Sequence, residues 1–258
     1  MRLEQAVLSG GGKLTVFLRD SVAAMPAARQ RPVVLVVPGG GYEHLSPREA
    51  DPVALQFLAA GYHAAVLSYS VGEAARDDRP LRQLHEAMKL LRTHAEEWNI
   101  LPDRLAVCGF SAGGHLALSG AVRDLPGVAV QERPNAVILG YPVITAGEFA
   151  HRGSFMQLTG SGERTAWQTF GLEDRITPET PPVFVWHTVE DGSVPVENTL
   201  LLLNALQQAK VPWEAHLFEK GPHGTSISTA EVNAAEPHRH HWVELAVEWL
   251  NETFAFHL

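Results

Sequence analysis

The chain has 258 residues and is 45% hydrophobic, so it can bury a full core, and we expect a single domain spanning residues 1–258. A formal net charge of −9 argues against nucleic acid or an anionic membrane as a partner, because neither attracts an acidic surface. The one cysteine, Cys108, excludes an internal disulfide bond and is interpreted as an apolar filler of its strand. Small neutral substrates fit this composition, and a homo-oligomer is compatible with it.

The first five residues lack the cationic and then apolar pattern of a secretory signal. No run of apolar residues in the chain is long enough to span a bilayer. We therefore expect a cytoplasmic protein with no membrane partner.

Strand and helix patterns alternate along the chain. β-branched and aromatic runs predict strands at residues 32–37, 62–69, 104–108, 136–139, 182–186 and 213–218. Helical periodicity predicts helices near 46–60, 81–98, 113–118, 196–206 and 242–249. The fourth of these helices is expected to bury Val196, Leu200, Leu203 and Leu206. Such alternation predicts an α/β fold with a mostly parallel central sheet and right-handed crossovers.

Residues 143–180 do not follow the alternation, because glycines and aromatic residues are mixed there without a sustained period. An insertion at this place lies over the carboxyl ends of the strands, so we expect a short partial cap over a pocket. Its length fits an ordinary surface connection equally well.

A glycine-rich loop, Pro38-Gly39-Gly40-Gly41-Tyr42, follows the first of these predicted strands. Consecutive glycines let backbone N–H groups converge on one point, which a tetrahedral oxyanion requires. We predict Gly40 and Gly41 as oxyanion donors. A phosphate-binding loop is the weaker interpretation, because no Gly-Lys-Ser/Thr follows these glycines.

The pentapeptide Gly109-Phe110-Ser111-Ala112-Gly113 has the form G-x-S-x-G and stands between a predicted strand and a predicted helix. A sharp strand-to-helix turn exposes its serine, and the helix start directs free N–H groups at whatever the serine attacks. We predict Ser111 as the nucleophile and the Ala112 N–H as a further oxyanion donor. A chance match among 22 glycines is the alternative, and the flanking strand and helix argue against it.

A nucleophilic serine needs a base and an acid, which should follow in the order Ser, Asp, His. Asp191 comes after the predicted strand 182–186, at the edge where α/β active sites collect, and we predict it as the acid. Glu190 would point the other way along the backbone, and Asp174 lies in a less defined segment. A solvated loop acid or a helix cap is the alternative interpretation of Asp191.

The base is predicted as His223, which follows the last predicted strand and is held off regular structure by Pro222 and Gly224. Among the 13 histidines, His216 is expected to face solvent and His187 to line the site at a strand end. The cluster His238-Arg-His-His241 is interpreted as a solvated helix start, since two metal ligands on a helix face should be four residues apart.

These motifs make the chain resemble the α/β-hydrolase esterases, specifically the acetyl esterases and carbohydrate (xylan) esterases related to the hormone-sensitive-lipase group. The resemblance runs from about residue 14 to the C-terminus. It implies the α/β-hydrolase fold, with helices on both faces of the sheet. It also implies Ser111, Asp191 and His223 as the triad, and Gly40, Gly41 and Ala112 as oxyanion donors. Pro38 stands where the wider group has histidine, which separates the chain from that group's main branch.

The expected function is hydrolysis of short-chain carboxylic esters, and the resemblance adds acetyl esters of sugars. Neither a metal nor an organic cofactor is required by this chemistry. Tyr42, Phe110 and Trp167 are the residues predicted to bind the substrate. An amidase, an arylformamidase or a serine peptidase would use the same triad, and a non-catalytic α/β-hydrolase acting as a binding protein is the alternative outside enzymology.

Overall fold

A computed structural model describes residues 1–129 and 132–258, and strands from this part of the chain form one eight-stranded sheet. The strands are β1 Arg2–Val7, β2 Lys13–Leu18, β3 Arg31–Val37, β4 His63–Ser68, β5 Ile100–Phe110, β6 Ala136–Gly140, β7 Val183–Thr188 and β8 Trp213–Phe218. Their order in the sheet is β1-β2-β4-β3-β5-β6-β7-β8. The pairs β1–β2 and β2–β4 are antiparallel and the other pairs are parallel. This is the α/β-hydrolase fold that the sequence predicts.

The helices cover both faces of the sheet. They are α1 Asp51–Ala59, α2 Arg79–Thr93, α3 Ala95–Trp98, α4 Ala112–Val122, α5 Arg152–Thr159, α6 Arg164–Trp167, α7 Glu197–Ala209, α8 Pro237–His240 and α9 Trp242–Phe254. Apolar side chains of α2, α4 and α7 belong to the core on one face, and those of α1 and α9 to the core on the other. Strand β3 is buried throughout, as a central parallel strand with two covered faces should be. None of these helices is long and apolar enough to cross a membrane within the described residues.

Two predicted helices have different bounds in the structure. The helix expected at 46–60 begins only at Asp51, after a 3₁₀ turn at Pro47–Glu49, because Ala50 lies outside the helical region and Pro52 suits a first helical turn. The helix expected at 81–98 is divided into α2 and α3 at His94. Neither change alters the layer to which the segment belongs.

The buried face of α7 differs from the prediction. Leu200 is 47% exposed, whereas Asn198, Thr199 and Leu202 are fully buried. The Asn198 side chain accepts hydrogen bonds from the backbone of Ile144 and Thr145 and donates to Phe149 O, so a polar residue anchors the helix. The predicted stripe was therefore wrong at Leu200, whereas Leu206 is fully buried and Leu203 partly buried as expected. Apolar periodicity cannot reveal a polar anchor of this kind.

The segment 143–180 contains α5, α6 and short 3₁₀ turns. Its apolar side chains Phe155, Leu158, Trp167 and Leu172 are buried in the same core as α4. The segment therefore packs as part of the molecule while bringing His151, at the start of α5, to the edge of the sheet that carries Ser111.

Candidate active site

Ser111 stands at the sharp turn between β5 and α4, with φ of +53° and ψ of −120°. The backbone of the turn is held by a hydrogen bond from Ser111 N to Gly140 O and another from Val143 N to Ser111 O, both 3.0 Å. The flanking glycines are required by close packing, because a Cβ at Gly109 would lie 2.2 Å from the Gly113 carbonyl oxygen. A strained non-glycine residue fixed in this way is typical of an exposed nucleophile.

The structure brings the three residues predicted as a triad into one hydrogen-bonded chain. His223 Nε2 lies 2.8 Å from Ser111 Oγ, and His223 Nδ1 lies 2.6 Å from Asp191 Oδ2. Asp191 is an acceptor only, so Nδ1 carries the hydrogen and Nε2 is free to accept the serine hydroxyl proton. The Asp191 side chain is completely buried and that of His223 is 21% exposed, so the acid is shielded while the base reaches the cavity.

Asp191 is held by more than its histidine partner. Its Oδ1 accepts hydrogen bonds from Ser193 N and Val194 N, both 2.9 Å, so it also shapes the turn before α7, as the alternative interpretation of a capping acid expected. Burial raises the pKa of this carboxyl, but hydrogen bonds from His187 and His223 outweigh burial and hold the pKa well below its ordinary value. Asp191 is therefore ionised throughout the range in which a histidine titrates.

His187 does not line the cavity as predicted, because its side chain is fully buried beside Asp191. Its Nε2 lies 3.0 Å from Val194 O and 3.3 Å from Asp191 Oδ2, and its Nδ1 lies 2.8 Å from Thr199 Oγ1. Two acceptors beside Nε2 place the hydrogen there, so Nδ1 accepts from the threonine hydroxyl. His187 thus donates its Nε2 hydrogen towards Asp191 Oδ2 and helps to hold the acid in place.

The competing acids and the other histidines lie elsewhere. Glu190 is exposed and accepts only a 3.3 Å hydrogen bond from Gly221 N, and Asp174 lies in a 3₁₀ turn at Glu173–Arg175. His216 is half-buried and bonded to Glu214 rather than facing solvent freely. The cluster 238–241 lies at α8 and the start of α9, with His238 and His241 exposed as predicted, but Arg239 is buried rather than solvated. Across residues 1–129 and 132–258, no group of three or more histidine, cysteine or acidic side chains is placed to hold a metal ion.

A cavity of about 250 Å³ opens over Ser111 and is bordered by Gly40, Gly41, His151 and His223. The N–H of Gly39 is already bonded to Glu49 Oε2 at 2.8 Å. In the part of the chain that the structure describes, no such bond occupies the N–H groups of Gly40, Gly41 or Ala112. These three N–H groups are the ones predicted as oxyanion donors, and they remain available to a bound oxygen.

Tyr42, Phe110 and Trp167 were predicted to bind substrate, and the structure places all three away from the cavity. Tyr42 is 1% exposed, and its hydroxyl is bonded to His115 Nδ1 at 2.8 Å. Phe110 packs against Tyr141 and Trp242, and Trp167 stacks on Phe155 with its indole N–H bonded to Ser161 O. All three are core residues that do not border the cavity, so the structure does not support this prediction.

His151 lines the cavity and was not found from the sequence. Its Nδ1 faces two donors, Ser154 Oγ at 2.8 Å and Ser154 N at 3.3 Å, so Nδ1 is the acceptor and Nε2 carries the hydrogen. Burial, and then the neighbouring His223, lower the pKa of His151, which keeps it neutral. It presents a neutral N–H donor to the cavity. An isolated histidine in an aperiodic segment gives no sequence signal of this role.

Glu49 and Tyr141 were also missed. Glu49 is 2% exposed and borders the cavity, and Tyr141 places its ring 4.9 Å from the His223 ring between centroids. Burial, and then the Glu49 carboxylate, raise the pKa of Tyr141, so its hydroxyl stays protonated and donates. Glu49 lies in a segment that the sequence pattern assigns to the start of a helix, which gives no signal of a site residue.

Comparison with known proteins gives the family. A family model described as BD-FAE matches residues 22–127. The chain is 37% identical over 213 residues to endo-1,4-beta-xylanase B of Butyrivibrio fibrisolvens, covering 78% of this chain and 34% of that protein. It is 28% identical over 229 residues to an acetylxylan esterase of Xylanibacter ruminicola, covering 84% of this chain and 47% of that protein. The chain thus spans about a third to a half of the length of these curated relatives.

Solved structures match over almost the whole chain. MGS-M1, an alpha/beta hydrolase enzyme from a Medee basin deep-sea metagenome library, has a TM-score of 0.84 and 35% identity and is matched over 99% of this chain and 98% of its own. An acetyl ester-xyloside bifunctional hydrolase from Caldicellulosiruptor lactoaceticus has a TM-score of 0.81 and 35% identity, over 96% of this chain and 90% of its own. The carboxylesterase Cest-2923 from Lactobacillus plantarum has a TM-score of 0.86 and 28% identity over both full chains. On this similarity and on the geometry above, the chain belongs to the BD-FAE family of α/β-hydrolase esterases.

Proposed function

We propose that this chain is a serine carboxylesterase that removes acetyl and other short acyl groups from small polar alcohols, with acetylated sugars as its natural substrate class. The observation that carries the proposal is the hydrogen-bonded chain Ser111–His223–Asp191 beside a cavity bordered by Gly40 and Gly41, whose N–H groups are unoccupied among the described residues. A nucleophile, an oriented base and an oxyanion site within one cavity are the parts that acyl transfer needs.

The reaction proceeds in two halves. As Ser111 Oγ attacks the ester carbonyl carbon, its proton passes to His223 Nε2, and the carbonyl oxygen becomes an oxyanion held by the N–H groups of Gly40, Gly41 and Ala112. The C–O bond to the alcohol then breaks, and His223 returns the proton to the leaving oxygen. Water attacks the acyl-serine in the same way and releases the acid. Asp191 fixes the tautomer of His223 and stabilises its cationic form.

The polarity of the cavity supports small polar substrates. Besides the reacting groups it is bordered by Glu43, His44, Arg48, His151 and Ser193. Its volume of about 250 Å³ lies below the range of roughly 300–1,000 Å³ usual for drug-sized ligands. A long acyl chain would have to place its methylene groups against charged and hydroxyl-bearing side chains, which is unfavourable. Two similar proteins, an acetylxylan esterase and an acetyl ester-xyloside bifunctional hydrolase, have names that agree with an acetylated sugar as substrate.

Release of acetate from acetylated xylo-oligosaccharides and from glucose pentaacetate tests the sugar part, with Ser111→Ala as the matched control. The variant should lose activity by about a thousandfold or more while keeping its unfolding curve, because it removes one oxygen that borders the cavity and leaves the apolar core unchanged. Absence of acetate release by the wild-type protein would overturn the sugar part.

A series of p-nitrophenyl esters tests the acyl length. We expect kcat/KM to be highest for acetate and propionate and to fall for acyl chains longer than about eight carbons, because the cavity is small and polar. A steady rise towards long chains would contradict the proposal. Faster cleavage of formylkynurenine or aminoacyl anilides than of esters would indicate that the same triad hydrolyses amides. Failure of Ser111 to react with a fluorophosphonate would indicate a non-catalytic binding protein.

A further inference from the structure

A second cavity, of about 420 Å³, adjoins the one over Ser111. The two share Arg48, His223 and Gly224 on their borders, so they meet at the histidine. The second cavity is otherwise bordered by residues of the loop after β8 and of the approach to α8, including Lys220 and Arg239. The sequence predicts no catalytic or binding role for Lys220 or Arg239.

The most unusual group on this border is the buried guanidinium of Arg239, which is 6% exposed. Its hydrogen bonds go to neutral acceptors: Nε donates to Ser228 Oγ at 2.8 Å, Nη1 to Lys220 O at 3.1 Å and Nη2 to Ala234 O at 3.4 Å. No carboxylate in the described ranges lies within 4.0 Å of it. A charge buried without a counter-ion favours a nearby anion.

Two exposed cations lie at the opening of the same cavity. The guanidinium of Arg48 lies against the loop of His223, since a Cβ at Gly224 would be 3.3 Å from Arg48 Nη2. Its backbone is fastened there by a 2.5 Å hydrogen bond from Ser226 Oγ to Arg48 O. Neither Arg48 nor Lys220 forms an ion pair with any residue that the structure describes. Among the described residues that border this cavity, Glu236 is the only one with a carboxylate, whereas Arg48, Lys220 and Arg239 are cationic. This excess of positive charge contrasts with the formal net charge of −9 for the whole chain.

The chemistry of the first cavity fixes which part of an ester reaches the second. The ester oxyanion must point at Gly40, Gly41 and Ala112, whereas the leaving oxygen must lie beside His223 Nε2, which protonates it. The second cavity borders His223 but neither Ser111 nor the oxyanion glycines. The alcohol portion of the ester is therefore the part that extends into it.

We propose that the cavity bordered by Arg48, Lys220 and Arg239 is a subsite for a negatively charged leaving group, so that the esterase prefers acetylated sugars that carry a carboxylate. The inference rests on the proposed function and narrows its substrate class to acetylated uronic acids, or to oligosaccharides that bear them. A carboxylate there would accept charge-assisted hydrogen bonds from a guanidinium, while a neutral sugar would leave these cations without a partner.

The test compares two substrates that differ in one group, the mono-acetylated methyl glucuronoside and the equally acetylated methyl glucoside, in which a hydroxymethyl group replaces the carboxylate. We expect the wild-type kcat/KM for the acidic ester to exceed that for the neutral ester by about fivefold at low salt, and the ratio to decline as salt screens the exposed cations. Lys220→Gln and Arg48→Gln should each lower the ratio by about twofold, and the double variant should bring it near one. Lys89→Gln, which removes an exposed charge from α2, controls for net charge and should leave the ratio unchanged.

Equal kcat/KM for the two esters in the wild type, or a ratio that the double variant does not change, would overturn the inference. In either case the proposed function stands if both acetates are cleaved. If neither acetate is cleaved, binding at the subsite can still be measured as inhibition of p-nitrophenyl acetate hydrolysis by methyl glucuronoside and by methyl glucoside. Stronger inhibition by the acid that the double variant abolishes supports the subsite, and equal inhibition overturns it.

Discussion

Glu49 joins the oxyanion loop to Tyr141 through one carboxylate, whose Oε1 accepts the Tyr141 hydroxyl at 2.6 Å while its Oε2 accepts the Gly39 N–H at 2.8 Å. The Tyr141 hydroxyl in turn accepts a 2.9 Å hydrogen bond from Ser226 N in the loop that carries His223. Both oxygens of Glu49 therefore act as acceptors, and the loops that hold the oxyanion donors and the base share one buried anchor.

Glu49→Gln should lower kcat by about tenfold or more with little change in KM, because an amide has one acceptor oxygen and cannot serve both donors. Steady-state kinetics with p-nitrophenyl acetate checks this. Tyr141→Phe removes one of the two donors, so the double variant should be less impaired than the two single effects predict together. Glu96→Gln, an exposed charge removal on α3, is the control, and a Glu49 variant as active as this control would refute the anchoring role.

Asp191→Asn should reduce turnover by a large factor, up to about ten-thousandfold, because the amide presents His223 in the wrong tautomer. Glu190→Gln is the matched neighbour and should change kcat/KM little, since the Glu190 side chain is exposed and bonds only to Gly221 N. The comparison is made at constant pH with p-nitrophenyl acetate. If Glu190→Gln loses activity while Asp191→Asn keeps it, the acid of the triad is Glu190 and not Asp191.

His151→Asn should raise KM for acetylated sugars by about twofold to tenfold, because it removes the N–H that faces the cavity, while an asparagine oxygen still caps α5. The effect on p-nitrophenyl acetate should be smaller, since its leaving group has no hydroxyl groups to recognise. His238→Asn, on an exposed histidine, serves as the control. If both esters lose affinity equally, His151 supports the fold of the cavity rather than sugar recognition.

Three buried histidines make stability depend on pH. Burial lowers the pKa of His63, His85 and His115 to about 4 each. Between pH 6.5 and 4 the unfolded chain binds protons that the folded chain does not, so the free energy of unfolding falls as the pH falls through this window. Asp191, whose pKa is lowered by folding, adds its own loss only below its ordinary value of 3.8.

Urea unfolding at several pH values measures this dependence. His85→Leu should flatten the slope between pH 6 and 4.5 by about one proton, equivalent to about 1.4 kcal/mol per pH unit, because it removes one buried group that resists protonation. His241→Gln alters an exposed histidine and should leave the slope as it is. A slope unchanged by His85→Leu would contradict the assignment.

The positions of Ser111, Asp191 and His223 could be predicted because each follows a strand that the sequence pattern indicates, and the turn chemistry marks the strand ends. The structure brings them within hydrogen-bond distance, and their catalytic roles stay predictions. Cavity residues outside motifs could not be predicted. Glu49 reaches Tyr141 across 92 residues of sequence, and no local pattern encodes such a contact.

The aromatic residues show the opposite failure. Tyr42 and Phe110 stand next to motif residues, and nearness in sequence suggested nearness to substrate. Along a strand, successive side chains point to opposite faces, so Phe110, the last residue of β5, is directed into the core although it precedes Ser111. His151 was hidden for a related reason, because its role depends on the packing of segment 143–180 rather than on its neighbours.

Ser111 and His223 are 112 residues apart along the chain. During synthesis at about 5–20 residues per second, the serine leaves the ribosome roughly 6 to 22 seconds before its base. Through that interval the nascent polypeptide has an oxyanion loop and a hydroxyl but nothing to remove the proton. A chain interrupted before β8 and its following loop would lack the proposed base, so we expect such a fragment to hydrolyse esters far more slowly than the whole chain.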